Sequence, residues 1–317
     1  MRRLFALLCL CLPHVAFAAG YPPVNVEVRA VQVSAHGWYV PGLAGAASTA
    51  NEGFMSNAGF VVTPAGVVVI DTLGSPSLAQ EMVGRIREVT SAPIRRVILT
   101  HYHADHYYGM QVFKDLGAEV WAHEAARGVT ATEGARLRFE QRKQILGHWI
   151  DDRTQRFPQP DLWLAGDTDF ELGGLHFRVR HVGPAHSPED LVVFVAEDGL
   201  LYAGDLVFKE RVPFVGDADS KLWLAALDKL IALQPRRLVP GHGPASTDPL
   251  GDLKLTRDYL LFLRDRMGRA AADLIPFDEA YAHTDWSRYA GMPAFAEANR
   301  VNAYNTYLLM EKESLEK

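Results

Sequence analysis

Residues 100–106 read Thr100-His101-Tyr102-His103-Ala104-Asp105-His106. The apolar run 97–99 leads directly into them and reads as a short buried strand, so this box opens where a strand ends. Residues two apart in extended chain point to the same side, which lets His101 and His103 converge on one ion. Asp105 and His106, in a loop or a first helical turn, can face a second. A structural or surface cluster would have no need of this spacing; a metal centre does.

Three later segments repeat the strand-to-loop placement. His186 sits in Gly183-Pro184-Ala185-His186-Ser187-Pro188 between two expected strands, Gly204-Asp205 follows a strand at 200–203, and Gly241-His242-Gly243-Pro244 follows a short strand at 237–239. Taken singly, each is an ordinary loop residue. Together with the box they supply seven N and O donors, a set that suits two zinc ions, with Asp205 able to give one oxygen to each and a hydroxide completing the bridge. Glycines beside these donors let the backbone approach a crowded centre.

Working outward, residues 26–34 alternate apolar and polar as a half-buried strand does. Strands at 54–63 and 67–71 flank the turn Pro64-Ala65-Gly66, and the second is so β-branched that it belongs inside a covered sheet. Ser75-Pro76 opens a helix to about residue 90, with Ser75 as N-cap. Residues 123–149, with Glu133, Arg136, Arg138, Glu140, Arg142 and Lys143, read as surface helix of mixed charge rather than a nucleic-acid arm. A hairpin turns at Gly173-Gly174 into a strand at 175–182, and strands at 191–196 and 200–203 pair across Glu197-Asp198-Gly199. A helix at 221–233, the strand 237–239 and a helical C-terminal third complete the chain. Strands then helices, twice over, predict an α+β fold: a four-layer αββα sandwich of two mixed sheets face to face with helices outside.

The ordered combination HxHxDH, GxxHS, GD and GHG resembles the metallo-β-lactamase superfamily over nearly the whole expected mature chain. The resemblance implies that His101, His103 and His186 hold a first zinc, that Asp105, His106 and His242 hold a second, and that Asp205 bridges them. It also implies hydrolysis by the bridging hydroxide, oriented by Asp105, of an ester, thioester, lactone or amide, β-lactams included. Cysteine-using lactamases carry Cys where Asp205 stands; Asp205 is similar instead to glyoxalase-type thioesterases and lactonases, although the 80 positions from His106 to His186 are closer to lactamases. Tyr107 and Tyr108 replace the small residues usual after the box and are expected to narrow the pocket. The leader and general layout also resemble periplasmic zinc metallohydrolases associated with quinoprotein systems. Persulfide dioxygenases share the fold and box but use one iron, and they stand as the alternative, ahead of a metal-binding module without turnover.

Asp71, ending a strand, matches a position where the family carries an acid that braces the metal loop, against a plain strand-end turn. Asn57 is a candidate to face the site. Lys209 and Arg211, just beyond Asp205, are candidate cations for a substrate carboxylate, and the substrate is expected to be a small, anionic molecule.

The chain has 317 residues with 48% hydrophobic and 22% charged side chains, ordinary globular usage. Residues 1–18 combine Arg2-Arg3, an apolar run at 4–12 too short to span a bilayer, and Ala16-Phe17-Ala18, which reads as a signal peptide ahead of a catalytic domain at 19–317 with a helical C-terminal extension. Periplasmic or secreted placement, without a stable membrane anchor, is the expectation. Cys9 and Cys11, the only cysteines, both lie in that leader, so the mature site is free of thiolate. Without Arg2 and Arg3 the chain keeps 30 basic against 38 acidic residues, a formal −8, which argues against a nucleic-acid partner.

Overall fold

The computed structural model describes residues 20–216 and 218–315; the expected signal peptide lies outside them. Among the described residues, twelve strands and eight α-helices follow in chain order. The strands are β1 (Val31–Gln32), β2 (Gly37–Val40), β3 (Ala58–Thr63), β4 (Gly66–Ile70), β5 (Ile94–Ile98), β6 (Glu119–His123), β7 (Leu162–Leu164), β8 (Thr168–Leu172), β9 (Leu175–His181), β10 (Leu191–Val195), β11 (Leu200–Tyr202) and β12 (Arg237–Val239). The helices are α1 (Pro76–Val89), α2 (Ala104–Tyr107), α3 (Met110–Asp115), α4 (Glu133–Leu146), α5 (Ser220–Ala232), α6 (Pro249–Ala272), α7 (Phe277–His283) and α8 (Phe295–Leu315).

Strands β1 to β7 form one sheet in sequential order, and the other runs β12-β11-β10-β9-β8. Both are mixed: β4, β5, β6 and β7 are parallel neighbours, as are β11 and β12, and the remaining pairs are antiparallel. Three apolar clusters fill the gaps between layers. Val67, Val69, Leu78, Met82 and Phe113 pack the first sheet against α1 and α3. Val61, Val68, Ile98, Phe177, Val193 and Tyr202 join the two sheets, while Val192, Leu201, Trp223, Leu227, Leu260 and Leu263 pack the second sheet against α5 and α6. Adjacent residues of β4 thus serve opposite faces, the period of a strand buried on both sides, and the αββα sandwich follows. The sheets meet closely where Gly59 lies against the Tyr202 ring; a Cβ there would overlap it. The Tyr202 hydroxyl crosses the interface to donate to Trp38 O at 2.9 Å.

Two expected strands are shorter than their sequence pattern. Of the expected strand at 26–34, residues 26–30 alternate in burial but only β1 pairs in the sheet; the entry to the segment is held by a side chain, Asn25 N and Val26 N donating to Glu52 Oε2 at 2.8 and 3.4 Å. Residues 54–57 leave the sheet because their groups are needed at the metal loops. Helix α1 has the expected boundaries, capped by Ser75 Oγ accepting from Leu78 N at 3.2 Å. Among the described residues no helix is long and apolar enough to cross a membrane.

Candidate metal centre

Strands β4, β5, β11 and β12 deliver their C-terminal ends to one rim of the sandwich, and the β9–β10 loop reaches the same rim. Asp71 follows β4; His101 to His106 follow β5 into the short α2; His186 lies between β9 and β10; Asp205 sits in a 3-10 turn after β11; His242 follows β12. Because β11 and β12 are parallel and adjacent, Asp205 and His242 emerge side by side, and Gly241 N donates to Gly204 O at 2.7 Å. A Cβ on Gly241 would overlap Asp205 Oδ1 and lie 2.7 Å from the Gly204 carbonyl carbon, so this glycine is required for room.

All seven expected donors meet here, in two groups: His101, His103, His186 and Asp205, and beside them Asp105, His106 and His242. In the first, His103 Nδ1 lies 3.0 Å from His101 Nε2 and 2.9 Å from His186 Nε2, with Asp205 Oδ2 3.8 and 3.4 Å from the latter two nitrogens. In the second, Asp205 Oδ1 lies 3.1 Å from His106 Nε2 and 3.3 Å from His242 Nε2, and Asp105 Oδ2 lies 3.7 and 3.3 Å from them. Asp205 therefore turns one oxygen to each group.

A tetrahedron with zinc–donor arms of about 2.0–2.1 Å has edges of about 3.3 Å, and these separations bracket that length. Asp105 Oδ2, His106 Nε2 and Asp205 Oδ1 are buried without a hydrogen-bond partner among the described residues, a costly state that a cation relieves. Burial opposes charge on both carboxylates, yet the imidazoles outweigh it: His106 and His242 hold Asp105 and Asp205 well below the usual carboxylate range. His101 and His103 are pushed well below 6.5, by burial first and then by neighbouring imidazoles, which keeps them in the neutral form a metal needs. The residues fit a pair of divalent ions.

A family model described as the metallo-beta-lactamase superfamily matches residues 51–242, more than half of the chain. The chain belongs to this superfamily. Among relatives, a linear primary-alkylsulfatase of Pseudomonas sp. is 24% identical over 66% of this chain and 46% of its own length, and a type 2 metallo-beta-lactamase of Bacillus cereus is 24% identical over 61% and 68%. The chain spans about half the length of the first curated relatives it matches. Of solved structures, a metallo-beta-lactamase from Pontibacter korlensis superposes with TM-score 0.60 at 24% identity over 74% of this chain and 99% of its own. A stereoselective inverting sec-alkylsulfatase from Pseudomonas sp. gives 0.68 at 16% over 89% and 50%. These structural likenesses speak for the fold.

Around the superfamily's donor set, hydrogen bonds orient the rings of His106, His101 and His242, while His186 Nδ1 is buried without a partner among the described residues. Asp71 Oδ1 accepts from Thr100 N at 2.7 Å, and Oδ2 accepts from Thr100 Oγ1 and His106 Nδ1, both at 2.8 Å. Thr100 Oγ1 lies 3.0 Å from His101 Nδ1, so one carboxylate orients a histidine of each group. Asp71 holds this position at a φ of 60°, a left-handed value that Asp tolerates better than most residues. His242 Nδ1 donates to Met55 O at 2.7 Å, and Ser56 Oγ donates to the Asp105 carbonyl at 2.5 Å.

Three sequence expectations need correction. Asn57 does not face the site: it is buried, its Oδ1 accepting from Gly42 N at 2.9 Å and its Nδ2 donating to Pro240 O and Gly243 O at 2.8 and 2.7 Å, so it fastens the His242 loop. Lys209 Nζ pairs with Asp252 Oδ2 at 3.3 Å and does not line the metal cavity. Tyr107 and Tyr108 turn away from the metals into an aromatic cluster with Phe157, lining a separate small cavity.

The metal groups open into a cavity of about 370 Å³, within the usual range for small-molecule sites. Arg211 lines it, its Nε and Nη1 buried without partners among the described residues. Helix α4, read from sequence as mere surface, supplies another wall through Arg138, Gln141, Arg142 and Ile145. Their spacing of three and four residues puts them on one helix face, a signal that was present in the sequence but was masked by the mixed charge around it.

Proposed function

We propose that this protein is a binuclear zinc hydrolase that acts on a small molecule at an ester, thioester, lactone or amide carbonyl. The observation that carries the reading is Asp205, with one carboxylate oxygen 3.4 Å from His186 Nε2 and the other 3.1 Å from His106 Nε2, the posture of a ligand shared between two ions. When bound, the ions, held by the two donor groups, would activate water near neutral pH and polarise the scissile carbonyl. The chain's own contribution is orientation and proton handling. Asp71 and Thr100 fix the rings of His106 and His101, and Met55 O fixes that of His242. Asp105 lies on the cavity wall with Oδ2 turned to the second metal group; its other carboxylate oxygen orients the nucleophile, accepts its proton and passes it to the leaving group.

Analysis of protein purified without added metal should give about two zinc per chain, with turnover in a screen of esters, thioesters, lactones, β-lactams and alkyl sulfates. The last belong in the screen because alkylsulfatases recur among the relatives. His103→Ala should abolish turnover and leave a folded protein. One iron per chain with sulfur-dependent oxygen uptake would overturn the reading. The basic, apolar and small-residue pattern of residues 1–18 supports export to the periplasm or beyond; intact-mass measurement should find mature protein beginning near Ala19.

A further inference from the structure

The charged residues of α4 divide by face. Arg136 pairs with Glu133 at 2.5 Å, and Lys143 pairs with Glu140 and Asp152, both at 2.9 Å. These pairs satisfy one another in solvent. Arg138 and Arg142, four residues apart on the face that lines the metal cavity, have no ion-pair or hydrogen-bond partner among the described residues. Arg211 approaches the same cavity from the loop after β11, with two of its guanidinium nitrogens buried and unpartnered. Burial disfavours its charge, and the carboxylates of Asp205, Asp105 and Glu297 act on it from a distance without any forming an ion pair within 4 Å. On binding two zinc ions, Asp105 and Asp205 would be spent on metal charge, which leaves the exposed Glu297 as the remaining carboxylate of the cavity lining, with the buried Glu189 acting on Arg138 from outside it, in a protein of net charge −6. Arg211 and Arg142 are partly buried and Arg138 is exposed; a partly buried guanidinium without a pair is unfavourable until an anion arrives, and the planar fork of each arginine can then grip an oxyanion in bidentate fashion. Between the two basic walls the lining is apolar: Met55, Ile145, Phe208 and Phe214, the last exposed.

We propose that Arg211, Arg138 and Arg142 form an anion clamp across the metal cavity, and that the substrate is an amphiphilic oxyanion whose charged group lies between these arginines and whose hydrocarbon part lies on Met55, Ile145, Phe208 and Phe214. This rests on the hydrolase reading for the chemistry, but the clamp itself is a binding property and is tested as one. Helix α4 is a positioning element here: it covers the site and carries two of the three charges.

The test is calorimetric, on the full metal-loaded chain, with probes that are not hydrolysed. Octane-1-sulfonate and nonanoate are the oxyanion probes, and methyl octyl sulfone is the uncharged counterpart. The native protein should prefer the better oxyanion over the sulfone at least tenfold, and whichever oxyanion binds more tightly distinguishes a sulfate-type from a carboxylate group. Arg211→Ala and the double variant Arg138→Ala/Arg142→Ala should each lose about tenfold on the oxyanion, lose most of the preference over the sulfone, and weaken the salt dependence; Arg211→Lys should recover part. Should Arg211→Ala fail to fold, the α4 pair, on an exposed helix, still decides. Oxyanion binding that is native-like in these variants but disappears on chelation would assign the anion to the metals and overturn the clamp, leaving the hydrolase reading standing. Oxyanion preference that survives in chelated protein and is lost in the arginine variants supports the clamp even if no turnover is ever found.

Discussion

Replacing Asp71 by Asn isolates the group that orients both halves of the centre. The carboxylate accepts three hydrogen bonds, from Thr100 N, Thr100 Oγ1 and His106 Nδ1, at 2.7, 2.8 and 2.8 Å. An amide has one accepting oxygen. With that oxygen towards Thr100 N, the NH₂ faces the Thr100 hydroxyl and the His106 ring; the hydroxyl can rotate, but His106 must move its proton to Nε2, the atom that faces the second metal group. With the amide reversed, two N–H donors confront each other in a buried site, at about 1–3 kcal/mol. Either route loses a hydrogen bond to a charged acceptor, worth about 1.5–3 kcal/mol. At about 1.4 kcal/mol per decade that is a 10- to 100-fold loss of metal affinity, the range seen when such supporting groups are removed. The loss should fall mainly on the Asp105–His106–His242 group, because His101 senses Asp71 only through Thr100. Competition titration against a chromophoric chelator would resolve one site near native affinity and one weakened. Two sites unchanged within about twofold, or a larger loss at the His101 group, would refute the reasoning.

Gly241→Ala puts a methyl where Asp205 Oδ1 and the Gly204 backbone already lie, so zinc content per chain should fall and turnover drop at least tenfold; native zinc content would show that the turn accommodates the methyl. Asn57→Ala removes three hydrogen bonds that fasten the His242 loop, each worth about 1 kcal/mol, and denaturant unfolding should register a loss of about 3 kcal/mol with turnover reduced through the loop. Lys209→Ala, whose ammonium is engaged by Asp252, should leave KM for an anionic substrate unchanged, and a clear rise in KM would return it to the site. His123, buried and stacked 3.6 Å from His181, is held below 6.5 by burial and then by that neighbour. The folded state therefore binds fewer protons than the unfolded state just below pH 6.5, and stability is lost as pH falls from there through the lowered pKa. His123→Asn keeps an acceptor for Ala125 N and should flatten this part of the stability–pH curve relative to native, as measured by melts between pH 7 and 5; an identical slope would exclude His123 as its source.

The donor set was legible in the sequence because metal ligands must be His or Asp and must leave strand ends at short, regular spacing. Those are local facts, and His101 to His106, His186, Asp205 and His242 all display them. The layer order was legible for a similar reason, since β4 could only be a strand covered on both faces and Ser75-Pro76 could only open a helix. The supporting shell was visible in part: Asp71 lies on a strand end that points at the box.

Only the tertiary structure decided what the remaining polar side chains do. Asn57 and Lys209 lie close to the site in sequence or by analogy, but hydrogen bonds to partners 183, 186 and 15 residues away, and an ion pair to α6, commit them elsewhere. Arg138 and Arg142 lie on a helix whose composition is that of solvent-facing surface, and they become part of the cavity because the fold sets one face of α4 opposite the loops that follow β5, β11 and β12. A side chain's chemistry is written in its own residue, whereas its partner depends on which distant segments the packing of the layers brings beside it. Ligand identity therefore belonged to the sequence, and the division of the charged residues between paired surface and unpaired cavity wall belonged to the fold.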